Sequence, residues 1–189
     1  MQLPPDTVFD AKTLRLGRDR AIELGPRARL MGILNVTPDS FSDGGVYADQ
    51  RVAVEAALAM VGEGADIIDV GGESTRPGAE PVSALNEQRR IMPVIEALSR
   101  HENVLISVDT WRAETARLAL QAGAHMINDV WGLQRDPEMA RVAGDAGAAV
   151  AIMHTGRERE CLPDLVEDQF SWFAASLEIA RKAGIEDDR

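Results

Sequence analysis

At 189 residues the chain has the length of about one domain. Hydrophobic residues make up 45% and aromatic ones only 4%, so it can bury a mainly aliphatic core without disulfides or structural metals. The formal net charge is −11 with no cluster of Lys and Arg, which argues against a nucleic-acid backbone or an anionic membrane as main partner. Cys161 is the single cysteine, excluding an intrachain disulfide and a Cys-rich zinc site. The opening Met1-Gln2-Leu3-Pro4-Pro5-Asp6 lacks the basic-then-apolar pattern of a secretory signal, and no apolar run approaches the ~20 residues of a membrane helix. A cytoplasmic protein is expected.

Residues 1–29 read as a preface to a main domain at 30–189. In the preface, Thr7-Val8-Phe9 and Ala21-Ile22-Glu23-Leu24 are strand-like pieces around charged, Gly-containing turns, and predict a hairpin. Five nearly continuous Val/Ile/Leu-rich runs then follow, at 30–36, 66–70, 104–108, 126–130 and 148–153. Such runs read as strands covered on both faces, as in a parallel sheet under helices. Amphipathic stretches alternate with them at 50–63, 83–100, 112–122, 136–146 and 164–183. Asp136-Pro137 predicts a helix cap and first turn, and Gly123, Gly147 and Gly184 stand just past predicted helix ends. The alternation predicts a parallel α/β fold.

Polar residues collect at the carboxyl ends of these runs: Asn35, Asp69, Asp109, Asn128 and His154. Catalytic groups occupy those ends in a (β/α)8 barrel. No G-x-G-x-x-G follows any run, which weakens a dinucleotide-binding alternative. The fold expected is a (β/α)8 TIM barrel, incomplete in this chain. Strands one to five and their helices are visible where a closed barrel has eight units and about 250 residues.

In chain order, the first chemically rich stretch is Asn35-Val36-Thr37-Pro38-Asp39-Ser40-Phe41-Ser42-Asp43-Gly44-Gly45. Its turn formers, hydroxyls and carboxylate suit a loop that orders around a ligand with Phe41 closing over it; an ordinary connection is the plain alternative. Asn35 ends the strand itself, and its amide oxygen is a hard ligand suited to Mg2+. Next comes Asp69-Val70-Gly71-Gly72-Glu73-Ser74-Thr75-Arg76-Pro77-Gly78. Two glycines, the Thr75 hydroxyl and the Arg76 cation suit a phosphate or pyrophosphate, against the alternative of a Gly-rich turn with a solvated Arg. Asp109 in Ser107-Val108-Asp109-Thr110 and Asn128 in Ile127-Asn128-Asp129-Val130 end adjacent strands. Together they can read the edge of a flat nitrogen heterocycle; alone, Asp109 could cap a helix and Asn128 could be satisfied by backbone. His154 is a weaker candidate, since three scattered histidines do not make a metal site; Cys161 reads as inert, and Trp172 and Phe173 read as core.

These motifs, in this order and spacing from Leu30 to His154, resemble the dihydropteroate synthase family. The resemblance implies a TIM barrel that joins dihydropterin pyrophosphate to p-aminobenzoate and releases pyrophosphate, in folate synthesis. It implies that Asp109 bonds the pterin ring nitrogens and Asn128 the amino-pyrimidine edge, with Met153 and Val130 also against the substrate. Asn35 would sit by Mg2+ on the pyrophosphate, Thr75 and Arg76 on the anion and p-aminobenzoate side, and Phe41 and Pro77 in two mobile loops. A homodimer is implied for the full-length family. The family's further D-P-G, S-x-K and R-x-H motifs, after its sixth to eighth strands, are not among these 189 residues. Two other readings are a pterin-dependent corrinoid methyltransferase domain and a non-catalytic pterin-binding fragment.

Overall fold

The computed structural model describes residues 11–37, 46–73 and 82–189, the side chains of 46–49 excepted. Two short strands open it, β1 (Lys12–Arg15) and β2 (Ala21–Leu24), paired antiparallel. Between them Arg18 and Asp19 take left-handed backbone conformations (φ 61° and 56°), and the Arg20 N–H donates to Gly17 O at 3.4 Å. That is a type I′ turn, whose twist matches a hairpin. The expected hairpin is therefore present with a different first strand, since Lys12–Arg15 pairs with Ala21–Leu24. Residues 7–9 lie outside the described residues. Lys12-Thr13-Leu14-Arg15 contains a single apolar residue, Leu14, a weaker signal than a continuous run.

Five parallel strands follow: β3 (Met31–Asn35), β4 (Ile67–Gly71), β5 (Leu105–Asp109), β6 (Met126–Asp129) and β7 (Ala149–Ile152). They lie side by side in chain order, alternating with α1 (Val46–Gly62), α2 (Ala84–Leu98), α3 (Ala113–Ala122), α4 (Met139–Asp145) and α5 (Leu165–Lys182). A doubly wound sheet reverses its strand order at a switch point; this one does not. All five helices share one core. Ala53, Ile91, Ala116, Met139 and Ala180, one from each helix, pack with Leu34, Val70, Val108 and Ile127 of the sheet. Sequential strands with every helix on one side are the winding of a (β/α)8 barrel, of which five strands are present, as expected. Burial of each large aliphatic side chain contributes about 1.5–3 kcal/mol, which makes this core the main hold on the fold.

A second, smaller core lies on the opposite face. Ile67, Leu105, Met126 and Ala149 pack there against Leu16, with Leu14 and Ile22 of the hairpin beside them. The hairpin thus plugs the amino-terminal end of the barrel's inner side, and polar chemistry is confined to the carboxyl end. One helix start departs from expectation. α4 begins at Met139, and the Asp136 carboxylate accepts the Ala113 N–H at the start of α3 at 2.8 Å, besides the Glu138 N–H at 3.1 Å. The predicted cap of one helix serves mainly its neighbour.

Candidate active site

Parallel pairing sets Asn35 opposite Gly71, Gly71 opposite Asp109, Asp109 opposite Asn128, and Asn128 opposite Ala151. Side chains alternate between faces along a strand. Leu34, Val70, Val108 and Ile127, one residue earlier, belong to the helix-side core. Asn35, Asp109 and Asn128 therefore share the inner face, in one row at the carboxyl ends. One row below stand Ile33, Asp69, Ser107 and Met126. Gly71 leaves the upper row open: a Cβ there would lie 3.4 Å from Asp109 Oδ2 and 3.8 Å from Asn35 Oδ1. Asn35 and Asp109 converge across that gap.

Asn128 is held from below. Its Nδ2 donates to Asp69 Oδ2 at 2.8 Å, and Asp69 is only 4% exposed. Among the described residues, Asp69 Oδ1, Ser107 Oγ and Asp109 Oδ1 are buried without a hydrogen-bond partner. Each such atom costs about 1–3 kcal/mol, so three in two adjacent rows mark a site built to receive donors. Asp109 does not cap α3, because the Arg112 N–H goes to Thr110 Oγ1 at 3.2 Å and the Ala113 N–H to Asp136. Burial pushes the Asp109 carboxyl up to about 7, with the neighbouring Asp69, Glu87, Asp129 and Glu73 adding to the rise. Burial also raises Asp69, with the hydrogen bond from the Asn128 amide pulling the other way. A carboxyl poised near neutrality can accept from a ring N–H or share its own proton with a ring nitrogen.

Of the other residues singled out in the sequence, Met153 lies just past β7, 45% exposed, in step with the inward Ala149 and Ala151. Val130 lies just past β6 and is 8% exposed. Phe41, Thr75, Arg76 and Pro77 lie outside the described residues. His154 is tied into a side-chain cluster: its Nε2 is 2.6 Å from Asp168 Oδ2, and Arg159 Nη1 donates to Asp168 Oδ1 at 2.9 Å.

Sequence reasoning missed a buried cluster beside the row. Arg112 Nη1 donates to Glu73 Oε2 at 2.5 Å and Glu87 Oε2 at 2.9 Å, and Thr110 Oγ1 donates to Glu87 Oε1 at 2.7 Å. A signal existed for Glu87. It falls on the apolar stripe of α2 with Ile91, Val94, Ile95 and Leu98, where an unpaired acid would not persist.

The sequence profile described as "Pterin binding enzyme" matches residues 31–189. Dihydropteroate synthases of Clostridium beijerinckii and Bacillus subtilis are similar, at 44% identity over 89% of this chain and 47% over 88%. Among solved structures, the Xanthomonas albilineans dihydropteroate synthase with 4-aminobenzoic acid is 41% identical over 94% of this chain, with a TM-score of 0.85. The Burkholderia cenocepacia enzyme complexed with 7,8-dihydropteroate is 38% identical over 97% of it, with a TM-score of 0.81. The chain spans 62% and 58% of the length of the first two relatives, and 65% and 62% of the two solved chains. Among the described residues, no helix is long and apolar enough to cross a membrane. With its profile match over most of its length and the strand winding of the solved relatives, the chain belongs to the pterin-binding enzyme family.

Proposed function

We propose that the chain carries the pterin half of a dihydropteroate synthase site, which condenses 6-hydroxymethyl-7,8-dihydropterin pyrophosphate with p-aminobenzoate to dihydropteroate and pyrophosphate, in cytoplasmic folate synthesis. The observation that carries this reading is the Asn35–Gly71–Asp109–Asn128 row with its unpartnered Asp109 oxygen. A flat heterocycle set over Gly71 would give ring N–H donors to Asp109 and its amino-pyrimidine edge to Asn128, whose amide Asp69 orients. Met153 and Val130 would bound the ring. Thr75 and Arg76 would bind the anion and the p-aminobenzoate side, with Phe41 and Pro77 on the loops that order over the bound intermediate. The family's chemistry breaks the C–O bond to pyrophosphate first, and the arylamine nitrogen then attacks the pterin cation and loses a proton. Charge stabilisation and positioning are the protein's contribution.

Asn35 fits Mg2+. Its Oδ1 is a hard oxygen on an exposed strand end facing the Gly71 gap, and Mg2+ takes few protein oxygens when water and phosphate supply the rest. When bound, the ion supplies charge neutralisation on the pyrophosphate. The full-length enzyme is proposed to be a homodimer.

Calorimetry with pterin-6-carboxylate tests the site. Asp109→Ala should weaken binding by about 1.5–3 kcal/mol, the range for a lost charge-assisted hydrogen bond. Pyrophosphate release that depends on p-aminobenzoate tests the reaction, and Arg76→Ala should impair it while sparing pterin affinity. Unchanged pterin affinity in Asp109→Ala, or pyrophosphate release indifferent to p-aminobenzoate, would sink the reading.

A further inference from the structure

Arg112 begins α3 in extended backbone (φ −100°, ψ 119°) and makes no capping bond, so its side chain is directed to the barrel rim. There it meets two elements. Nη1 reaches Glu73, just past β4, and Glu87 on α2, while Nη2 donates to Val82 O at 2.7 Å. Glu73 Oε1 in turn accepts the Val82 N–H at 3.2 Å. Glu73 and Val82 are the described residues on either side of 74–81, and one guanidinium ties both. The same cluster reaches β5, because Thr110, next to Asp109, donates to Glu87 and accepts from the Arg112 N–H. Side-chain exposure is 14% for Arg112, 14% for Glu73 and 1% for Glu87, so these pairs are shielded from water and salt. The guanidinium also stacks on the Trp111 ring at 4.1 Å, which fixes its plane.

We propose that Arg112 is a positioning residue for the candidate site: without touching a ligand, it locks the backbone at Glu73 and Val82 to the end of β5. The inference rests on the reading above, in that Asp109 and Asn128 bind the ring while Thr75 and Arg76 act on the other substrate. Loss of the lock should leave the ring contacts intact and misplace the second set. A misplacement of about 1 Å is enough to cost up to a hundredfold.

The test compares wild type with Arg112→Met and Arg112→Lys. Amide hydrogen exchange at Val82 should accelerate at least tenfold in Arg112→Met. Pterin-6-carboxylate affinity should stay within about twofold of wild type, whereas the KM for p-aminobenzoate should rise about tenfold or more. Arg112→Lys keeps the charge without the fork, so its KM should fall between the two. Unchanged Val82 exchange in Arg112→Met would overturn the proposal. So would parallel loss of melting temperature, pterin affinity and p-aminobenzoate KM, the pattern of a merely structural Arg. If wild type fails to bind the pterin probe, the functional reading fails, and Val82 exchange still decides whether Arg112 is the lock.

Discussion

Asp109 binds its proton more tightly in the fold, near pH 7, than in the unfolded chain, near 3.8. Its protonated form therefore favours the fold, fully below pH 3.8, and that contribution is lost as the pH rises to 7. Asp109→Asn keeps the shape and removes the buried charge. The variant should be more stable than wild type at pH 8, by about 1–3 kcal/mol, with the gap closing towards pH 4. Urea unfolding at the two pH values checks this, and a gap that is constant with pH would mean that Asp109 ionises in the fold as it does in water. The same residue shows how far a sequence can be read. Asn35, Asp109 and Asn128 were legible because each ends a continuous apolar run. The Asp69–Asn128 bond was not, because it joins residues 59 apart and depends on strand register. Glu73 and Arg112 were hidden for the same reason.

At the level of elements, the loop after β7 and the start of α5 hold two aspartates with different work. Asp164 caps α5, its Oδ1 accepting the Val166 and Glu167 N–H groups at 2.8 and 3.1 Å. Asp168, one turn on, is 2% exposed and gathers Arg159, His154 and the Leu162 N–H. Arg159 holds its carboxyl far below the ordinary carboxylate range, with the Leu162 N–H and His154 assisting. Asp164→Ala should cost about 1 kcal/mol, the usual loss for an N-cap. Asp168→Ala should cost more, because it leaves Arg159 without its partner and frees residues 154–162 from the helix. Denaturant midpoints of the two variants decide the order, and equal midpoints would show that the cluster is no more than a surface pair. The predicted elements met the observed ones where hydrophobic period was strong, from β3 to β7. They departed where side chains reach across: Asp136 was read as the cap of its own helix and instead serves α3.

For the whole molecule, the joint between plug and barrel runs through His125. Its carbonyl accepts the N–H groups of Gly17 and Ala149 at 2.8 and 3.3 Å, and its Nδ1 accepts the Ile106 N–H at 3.1 Å. Burial, with Arg20 and Arg18 nearby, pushes the imidazole down to about 4 from 6.5. A histidine kept neutral in the fold contributes stability that is complete above pH 6.5 and is lost as the pH falls to 4. Asp109 has the opposite slope over much of that interval, so in wild type its contribution offsets that of His125. Asp109→Asn should expose the His125 slope, with stability falling towards pH 4, and imidazole NMR should place the His125 midpoint near 4. A midpoint near 6.5 would show that the joint is open to water. The arrangement of Asn35, Gly71, Asp109 and Asn128 in one row also limits how such a protein can change length. Removing one residue inside β5 would bring Val108 to the cavity and turn Asp109 towards the helices, an inversion of phase that no nearby substitution restores. Insertions and deletions are therefore tolerable in the connecting segments, while inside a strand they must come in even numbers and still shift the carboxylate by a whole tier.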